Sequence, residues 1–182
     1  MIELDALNID DLPIFLEIRN ECADQLHDNS RFQLSQALMW WKKHWGDDFI
    51  SSGSPRYYSI NKIKDDESVM VGYARARQDF DNRIATIGVD IHKDHRRKRY
   101  ACEAYKWLLN YFFIDSKCNR VQLEVLSTNK AALTLYKKIG FRQEGIRRQA
   151  VYRQDQNLFI DSIMMSITAD EWERDNESSQ PS

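Results

Sequence analysis

Two short apolar runs on either side of an amphipathic stretch constrain the fold of this chain more than anything else in it. The first is Ile84-Ala85-Thr86-Ile87-Gly88-Val89-Asp90-Ile91 and the second is Arg120 to Leu126. Both are rich in β-branched residues, which suit a pleated, half-buried surface, so both read as strands. Between them, Cys102 to Phe113 carries Ala104, Leu108 and Phe112 at helical spacing beside Trp107 and Tyr111. Two strands joined through a helix need a crossover, which makes them parallel. The turn into that helix, His92-Lys93-Asp94-His95-Arg96-Arg97-Lys98-Arg99-Tyr100-Ala101, is strongly basic. A helix N-terminus offers free N–H groups and a partial positive charge, so a cationic turn leading into one is a place to hold phosphates. After the second strand, Asn129 reads as the cap of a further helix that runs to Ile139 and stops at Gly140.

The basic turn belongs to a chain that is not basic overall. The formal net charge of the 182 residues is −2, so there is no general attraction to nucleic acid or to an acidic membrane. A nucleic-acid patch at Lys93 to Arg99 would also need interleaved exposed aromatics. Neither kind of partner is expected. The length suits one domain with a real core. Cys22, Cys102 and Cys118 are odd in number and widely spaced, which argues against a disulfide framework and fits a reducing compartment. His27, His44, His92 and His95 fall at unrelated spacings, so no metal site is expected. No apolar run approaches a membrane span and the N-terminus lacks a signal-peptide pattern, so a cytoplasmic location is expected.

Two linked motifs resemble the GNAT superfamily of acetyl-coenzyme A-dependent N-acetyltransferases. The family's pyrophosphate loop has the form Q/R-x-x-G-x-G/A, and Arg96-Arg97-Lys98-Arg99-Tyr100-Ala101 lies over it, with Arg99 where the family usually has Gly. The family's second signature is an Asn followed by a helix that carries a Tyr and ends in Gly-Phe. It is matched by Asn129-Lys130-Ala131-Ala132-Leu133-Thr134-Leu135-Tyr136-Lys137-Lys138-Ile139-Gly140-Phe141. A further likeness, to the branch that acetylates ribosomal-protein N-termini and to its spermidine-acetylating relatives, runs through Gly145-Ile146-Arg147-Arg148, Tyr152-Arg153-Gln154-Asp155 and Asp161 to Met165. The resemblance covers Glu3 to Thr168. It implies one mixed α/β (α+β) domain over residues 1–168, with a twisted, mostly antiparallel sheet of roughly six or seven strands and about four helices. Its parallel pair, the strands ending near Ile91 and Leu126, would splay apart at the cofactor groove.

The remaining segments fit around this centre. Met1 to Leu7 reads as a first strand, with Asp10 as the cap of a helix that has Pro13 in its first turn and Ile14, Phe15 and Ile18 on its buried face. Asn20 to Ser30 reads as a polar loop and Leu34 to Trp45 as a second helix, on which Trp40 and Trp41 cannot face the same way. The resemblance puts these helices beside the acceptor, with Glu17, Glu21, Asp24 and Asp28 near its mouth. Asp47 to Pro55 reads as a loop. Tyr57–Ile63 and Val69–Arg77 form a hairpin across Lys64-Asp65-Asp66-Glu67-Ser68, with Gly72 at a bulge or a close backbone approach. Arg142–Arg153 and Phe159–Thr168 read as two more strands, and residues 169–182 as a polar, frayed tail.

The resemblance implies acetyl-coenzyme A as co-substrate, no metal, and an amine acceptor that is a small molecule, a polyamine or a protein N-terminus; self-association as a homodimer is compatible with it. The pyrophosphate would sit on the backbone N–H groups of Arg97 to Cys102, with charge from Arg96, Arg97, Lys98 and Arg99 and with Tyr100, Ala101 and Cys102 opening the helix. A side chain at Arg99 fits only if φ and ψ stay near ordinary helical values. Main-chain groups of Val89, Asp90 and Ile91 would pair with the pantetheine arm like an added strand, and Asn129 would hold it from the other side. Tyr136 would protonate the departing thiolate. Glu124, on the strand before Asn129, would take the amine proton, or a water would do so. A non-catalytic acyl-coenzyme A sensor would keep the loop and lack the acid.

Overall fold

The computed structural model describes residues 1–27, 30–45, 56–65 and 67–177, with the side chains of 40, 42–45, 176 and 177 outside that description. Strands β1 (Ile2–Ala6), β2 (Arg56–Lys64), β3 (Glu67–Asp79), β4 (Ile84–Ile91), β5 (Arg120–Leu126), β6 (Arg142–Arg153) and β7 (Leu158–Thr168) form one sheet in the order β1-β2-β3-β4-β5-β7-β6. Every neighbouring pair is antiparallel except β4 and β5. Those two are joined through α3 (Tyr100–Asn110), as the crossover requires. They pair only at Ile84↔Arg120, Ala85↔Val121 and Thr86↔Gln122, then part. The expected splayed parallel pair is therefore present, and the sheet carries an open seam from Ile87 and Leu123 onward.

Helices fill both faces. On one, Ala104, Tyr105, Leu108 and Leu109 of α3 and Leu133, Tyr136 and Ile139 of α4 (Lys130–Ile139) pack with Val121, Leu123 and Val125 of β5. On the other, Leu12, Phe15, Leu16 and Ile18 of α1 (Leu12–Glu21) pack with Leu26, Tyr73 and Ala37 of α2 (Leu34–Trp45). A bulge keeps the two faces sorted. Ile60 pairs with Gly72 but Asn61 with Met70, so Val71 is an extra residue on β3. Without it, the period-2 alternation would turn Tyr73, Ala74 and Arg75 to the wrong sides. Gly72 also meets the close approach expected of it, since a Cβ there would lie 2.6 Å from the Asp90 carbonyl oxygen.

Several local readings need correction. The first helix is capped by Asn8, not by Asp10. Asn8 Oδ1 accepts from the N–H groups of Asp10 (2.8 Å) and Asp11 (3.3 Å), and Asp11 returns a carboxylate to the Asn8 N–H (2.9 Å). Extended backbone at Asn8 (φ −116°, ψ 176°) aims its side chain back over the turn. Residues 169–182 are not a frayed tail from the start. Ala169–Glu177 is a helix, α5. Its Trp172 is 8% exposed and lies over Phe113, and Thr168 and Glu171 exchange side-chain-to-backbone hydrogen bonds of 3.0 and 3.4 Å that close its first turn. Trp41 packs beside the second core. The orientation of Trp40, the loop from Asp47 to Pro55, Asp28 and Asp66 lie outside the described residues.

Candidate active site

The open seam leads into a cavity of about 870 Å³ that runs from the basic turn, past β4 and α4, to Glu124 and His27. The direction of the β4 main chain follows from one hydrogen bond. The His92 N–H donates to Val71 O (2.9 Å), so the alternating antiparallel ladder ties Asp90 and Gly88 to β3 and turns Ile87, Val89 and Ile91 towards the seam. Of the three residues expected to meet a pantetheine arm, Val89 and Ile91 thus present main-chain groups to the opening. Two of those groups already have partners: the Val89 N–H donates to Tyr105 Oη (3.2 Å) and the Ile91 carbonyl accepts from Arg96 Nε (3.1 Å). Asp90 differs. Its backbone serves β3, and its carboxylate, 11% exposed, takes Arg75 Nη1 at 2.9 Å. A Cβ on Gly88 would lie 2.9 Å from that guanidinium, so glycine there leaves the arginine its place.

The basic turn divides into braces and exposed charge. Arg96 reaches back to Ile91 and, at 3.4 Å, to the Cys22 sulfur, while Lys98 Nζ donates to Asp94 O (2.8 Å). Arg97 and Arg99 line the cavity, and both are left-handed, with φ of 61° and 67°. The first backbone bond of α3 runs from the Glu103 N–H to Arg99 O (3.1 Å), so the N–H groups of Tyr100, Ala101 and Cys102 precede the helical ladder. Alternating backbone handedness in front of such N–H groups makes a concave anion seat. At Arg99 the observed φ of 67° and ψ of 0° overturn the expectation of ordinary helical angles. The side chain occupies a conformation that the family's glycine adopts without cost, whereas for an L-residue it costs about 1–2 kcal/mol. Arg99→Gly is accordingly expected to raise stability by about 0.5–1 kcal/mol in urea unfolding, once the looser unfolded chain is allowed for. A loss of stability would show that Arg99 contacts outweigh the strain.

Across the seam, Asn129 Oδ1 accepts from the Ala132 N–H (3.1 Å), which caps α4 and leaves the side-chain amide N–H₂ group at the cavity wall. About two turns further on, Tyr136 is 9% exposed, and its Oη accepts from Tyr105 Oη–H at 3.0 Å. A donor chain therefore runs from the Val89 N–H through Tyr105 to Tyr136, and the Tyr136 proton is its outgoing end. Burial pushes the Tyr136 phenol above its ordinary pKa, against the lowering effect of the Tyr105 hydrogen bond, so it is fully protonated at neutral pH.

Glu124 lines the same cavity on β5, with its side chain 31% exposed. Its Oε1 is 2.9 Å from Arg147 Nη1 and 3.7 Å from His27 Nε2, and His27 also meets Ser162 Oγ at 2.7 Å. Burial lowers the His27 pKa, Glu124 opposes that, and Arg75, Arg147 and Arg153 add to it, so the imidazole is neutral at pH 7. The acidic cluster expected at the acceptor mouth is elsewhere. Glu17 and Glu21 pair with His92 (3.2 and 3.6 Å), Lys93 Nζ is 2.6 Å from Glu21, and Asp24 pairs with Arg31 at 3.2 Å. These carboxylates brace the turn and the loop after α1, and none of the three lines the cavity.

Tyr105, His27, Arg75 and Arg153 were not singled out from sequence. Arg153 is 2% exposed and donates to the carbonyls of Asp24 (2.9 Å) and Leu26 (2.6 Å), which fixes the loop that presents His27. Only the Tyr-Arg pair at Tyr152-Arg153 hinted at a shared pattern; the others lie in no motif.

The split parallel pair, the N-terminus of α3 behind its basic turn and the buried phenol of Tyr136 meet along this one cavity. The family model of the acetyltransferase (GNAT) domain matches residues 2–142, and the chain belongs to that family. Its relatives include the uncharacterized N-acetyltransferase p20 of Bacillus licheniformis, 28% identical over 125 residues that cover 69% of this chain and 68% of that protein. The SPbeta prophage-derived uncharacterized N-acetyltransferase YokL of Bacillus subtilis is 24% identical over 174 residues, 94% of this chain and 92% of that one. Among solved structures, the fold is shared with spermidine N-acetyltransferase from Vibrio cholerae in complex with CoA and spermine, at a TM-score of 0.82 and 19% identity over 94% of this chain and 97% of that chain. A dodecameric structure of the Vibrio cholerae protein gives a TM-score of 0.76 at 19% identity, over 98% of both chains.

Proposed function

We propose that this protein moves the acetyl group of acetyl-coenzyme A to a primary amine. The observation that carries the reading is the alignment, along one cavity, of the Arg97–Cys102 turn, the open edge of β4 and the protonated phenol of Tyr136. The pyrophosphate is assigned to the N–H groups of Tyr100, Ala101 and Cys102 with charge from Arg97 and Arg99, and the pantetheine arm to the seam between Val89–Ile91 and Asn129. In the reaction the amine nitrogen attacks the thioester carbonyl, the carbon–sulfur bond breaks, and the Tyr136 proton goes to the leaving sulfur. Glu124 is assigned the amine proton. Arg147 Nη1 lies 2.9 Å from that carboxylate, and neutral His27 stands 3.7 Å from it. A sensor without catalysis would have no use for a phenol supplied by a two-member donor chain.

Location in the cytoplasm is part of the same reading, supported by three cysteines that are all free. No helix among the described residues is long and apolar enough to cross a membrane.

The deciding experiment follows acetyl-coenzyme A consumption over a panel of amines, with the intact mass of each product. An adduct of one acetyl group on an amine nitrogen is the expected result; consumption by hydrolysis alone with every amine would refute the transfer. Exchanging Arg97 and Lys98 for Glu is expected to weaken coenzyme A binding by tenfold or more, about 1.4 kcal/mol, with the difference shrinking as salt screens the exposed phosphates. Calorimetry showing unchanged affinity would take the turn out of the site.

A further inference from the structure

We propose that His27 is a further catalytic residue: its imidazole takes the amine proton first and passes it to Glu124. The inference rests on the acetyltransferase reading and adds a stage to the path of that proton. A second cavity, of about 500 Å³, has Phe15, Leu16 and Arg19 of α1 in its wall and shares Leu26, His27 and Arg75 with the cavity along the seam. Of the two, Glu124 lines only the cavity along the seam. An amine entering from the α1 side therefore passes His27 before it reaches Glu124.

The ring is held in place from two strands. Ser162 of β7, with no exposed surface, sets its Oγ 2.7 Å from His27 Nε2. Arg153 of β6, 2% exposed, donates to the carbonyls of Asp24 and Leu26, which lead into His27. A guanidinium is costly to bury, and these hydrogen bonds offset that cost while fixing the loop. The surroundings also choose the tautomer. On the Nε2 side stand the Ser162 hydroxyl, which can accept, and Glu124 Oε1 at 3.7 Å, which as a carboxylate only accepts. An N–H at Nε2 suits both, whereas a lone pair there would face the carboxylate. The neutral ring thus carries its proton on Nε2, and Nδ1, which has no hydrogen-bond partner among the described residues, is its basic nitrogen. Glu124 Oε1, in contrast, already accepts from Arg147 Nη1 at 2.9 Å.

The charged groups about the ring are Glu124 on β5, Arg75 on β3, and Arg147 and Arg153 on β6. Burial, joined by the three guanidiniums and opposed by Glu124, keeps the ring neutral at pH 7 and able to accept. As the amine nitrogen attacks the thioester carbonyl, one N–H proton passes to Nδ1. The Nε2 proton moves to Glu124 Oε1 as the pair closes from its resting 3.7 Å. The ring ends neutral with its proton on Nδ1, Glu124 ends as the acid, and Tyr136 has given its proton to sulfur. Proton exchange with water resets all three.

Nitrogen NMR of the free protein is expected to show His27 neutral at pH 7 and protonated on Nε2. A ring protonated on Nδ1, with its lone pair tied to Ser162, overturns the proposal. With the amine turned over fastest in the panel above, His27→Gln is expected to slow single turnover by about 10²-fold or more at neutral pH. Coenzyme A should bind as before, and the loss should shrink as rising pH frees the amine without help. Imidazole added to His27→Ala should recover part of the rate, which a merely structural ring would not allow. A His27→Gln rate equal to that of the wild type overturns the proposal and leaves the acetyltransferase reading standing. So does a loss that holds at every pH and does not respond to imidazole in the Ala variant. A panel that yields no acetylated amine defeats the underlying reading instead.

Discussion

Tyr136→Phe is expected to slow the chemical step by about 10²–10⁴-fold, the usual consequence of losing a general acid, while coenzyme A binds as before. The ring survives the change, and with it the edge-on contact with Tyr105 at 5.2 Å and the contact with Phe141 at 5.9 Å. What disappears is the last hydroxyl of the chain Val89–Tyr105–Tyr136, so the departing sulfur has no placed proton. Tyr105 loses the acceptor for its own O–H, which should cost about 1–2 kcal/mol of stability. The two effects are read separately, by single-turnover kinetics and by urea unfolding. The pH profile carries a further signature. Burial raises the Tyr136 pKa above its ordinary value, so the acid form persists past the pH at which an exposed tyrosine ionises, and the alkaline limb of activity should fall later than that. Wild-type single-turnover rates in the Phe variant would end the assignment of Tyr136 as the acid.

The second large effect is expected at the ion pair behind the seam. Asp90→Ala leaves the Arg75 guanidinium without the carboxylate 2.9 Å away, and the loss should be about 2–4 kcal/mol. The figure stays below that of a fully enclosed pair because the Arg75 side chain keeps 37% of its exposure. Adding Arg75→Met should recover a good part of the loss, since the uncompensated charge is then gone and its hydrocarbon volume is kept. A single-variant loss under 1 kcal/mol, or a double variant whose loss is the sum of the two singles, would show that the pair contributes nothing specific.

What the chain discloses from its sequence is mostly local. The strands β4 and β5, the helix between them, the Asn129 cap and the Gly140 stop are each set by residues within one element, so periodicity and cap chemistry reveal them. The parallel pairing follows from the crossover alone. The groups that complete the site are close in space and far apart in sequence. His27 meets Ser162 across 135 positions, Arg153 reaches Leu26 across 127, and Tyr105 meets Tyr136 across 31. No window of sequence contains such a pair. Arg99 is the reverse case. Its place in the motif was plain, but its left-handed backbone belongs to the whole turn, including Arg97 and the Arg96 side chain anchored on Ile91. Two misses were readable. Thr168-Ala169-Asp170-Glu171 is a capping box, and Asn8 precedes Asp11 by the same interval.

The seam has a thermodynamic consequence. In most sheets a strand edge is completed by another strand, whereas beyond Thr86 and Gln122 the facing edges of β4 and β5 are left to whatever lies between them. A ligand that fills the gap binds only the folded chain, so its concentration enters the folding equilibrium as a mass-action variable. At a hundredfold excess over its dissociation constant it adds about 2.7 kcal/mol, a sizeable share of the 5–15 kcal/mol that holds an ordinary domain folded. The melting temperature of this protein is then expected to rise with ligand concentration, coenzyme A being the ligand proposed for the seam.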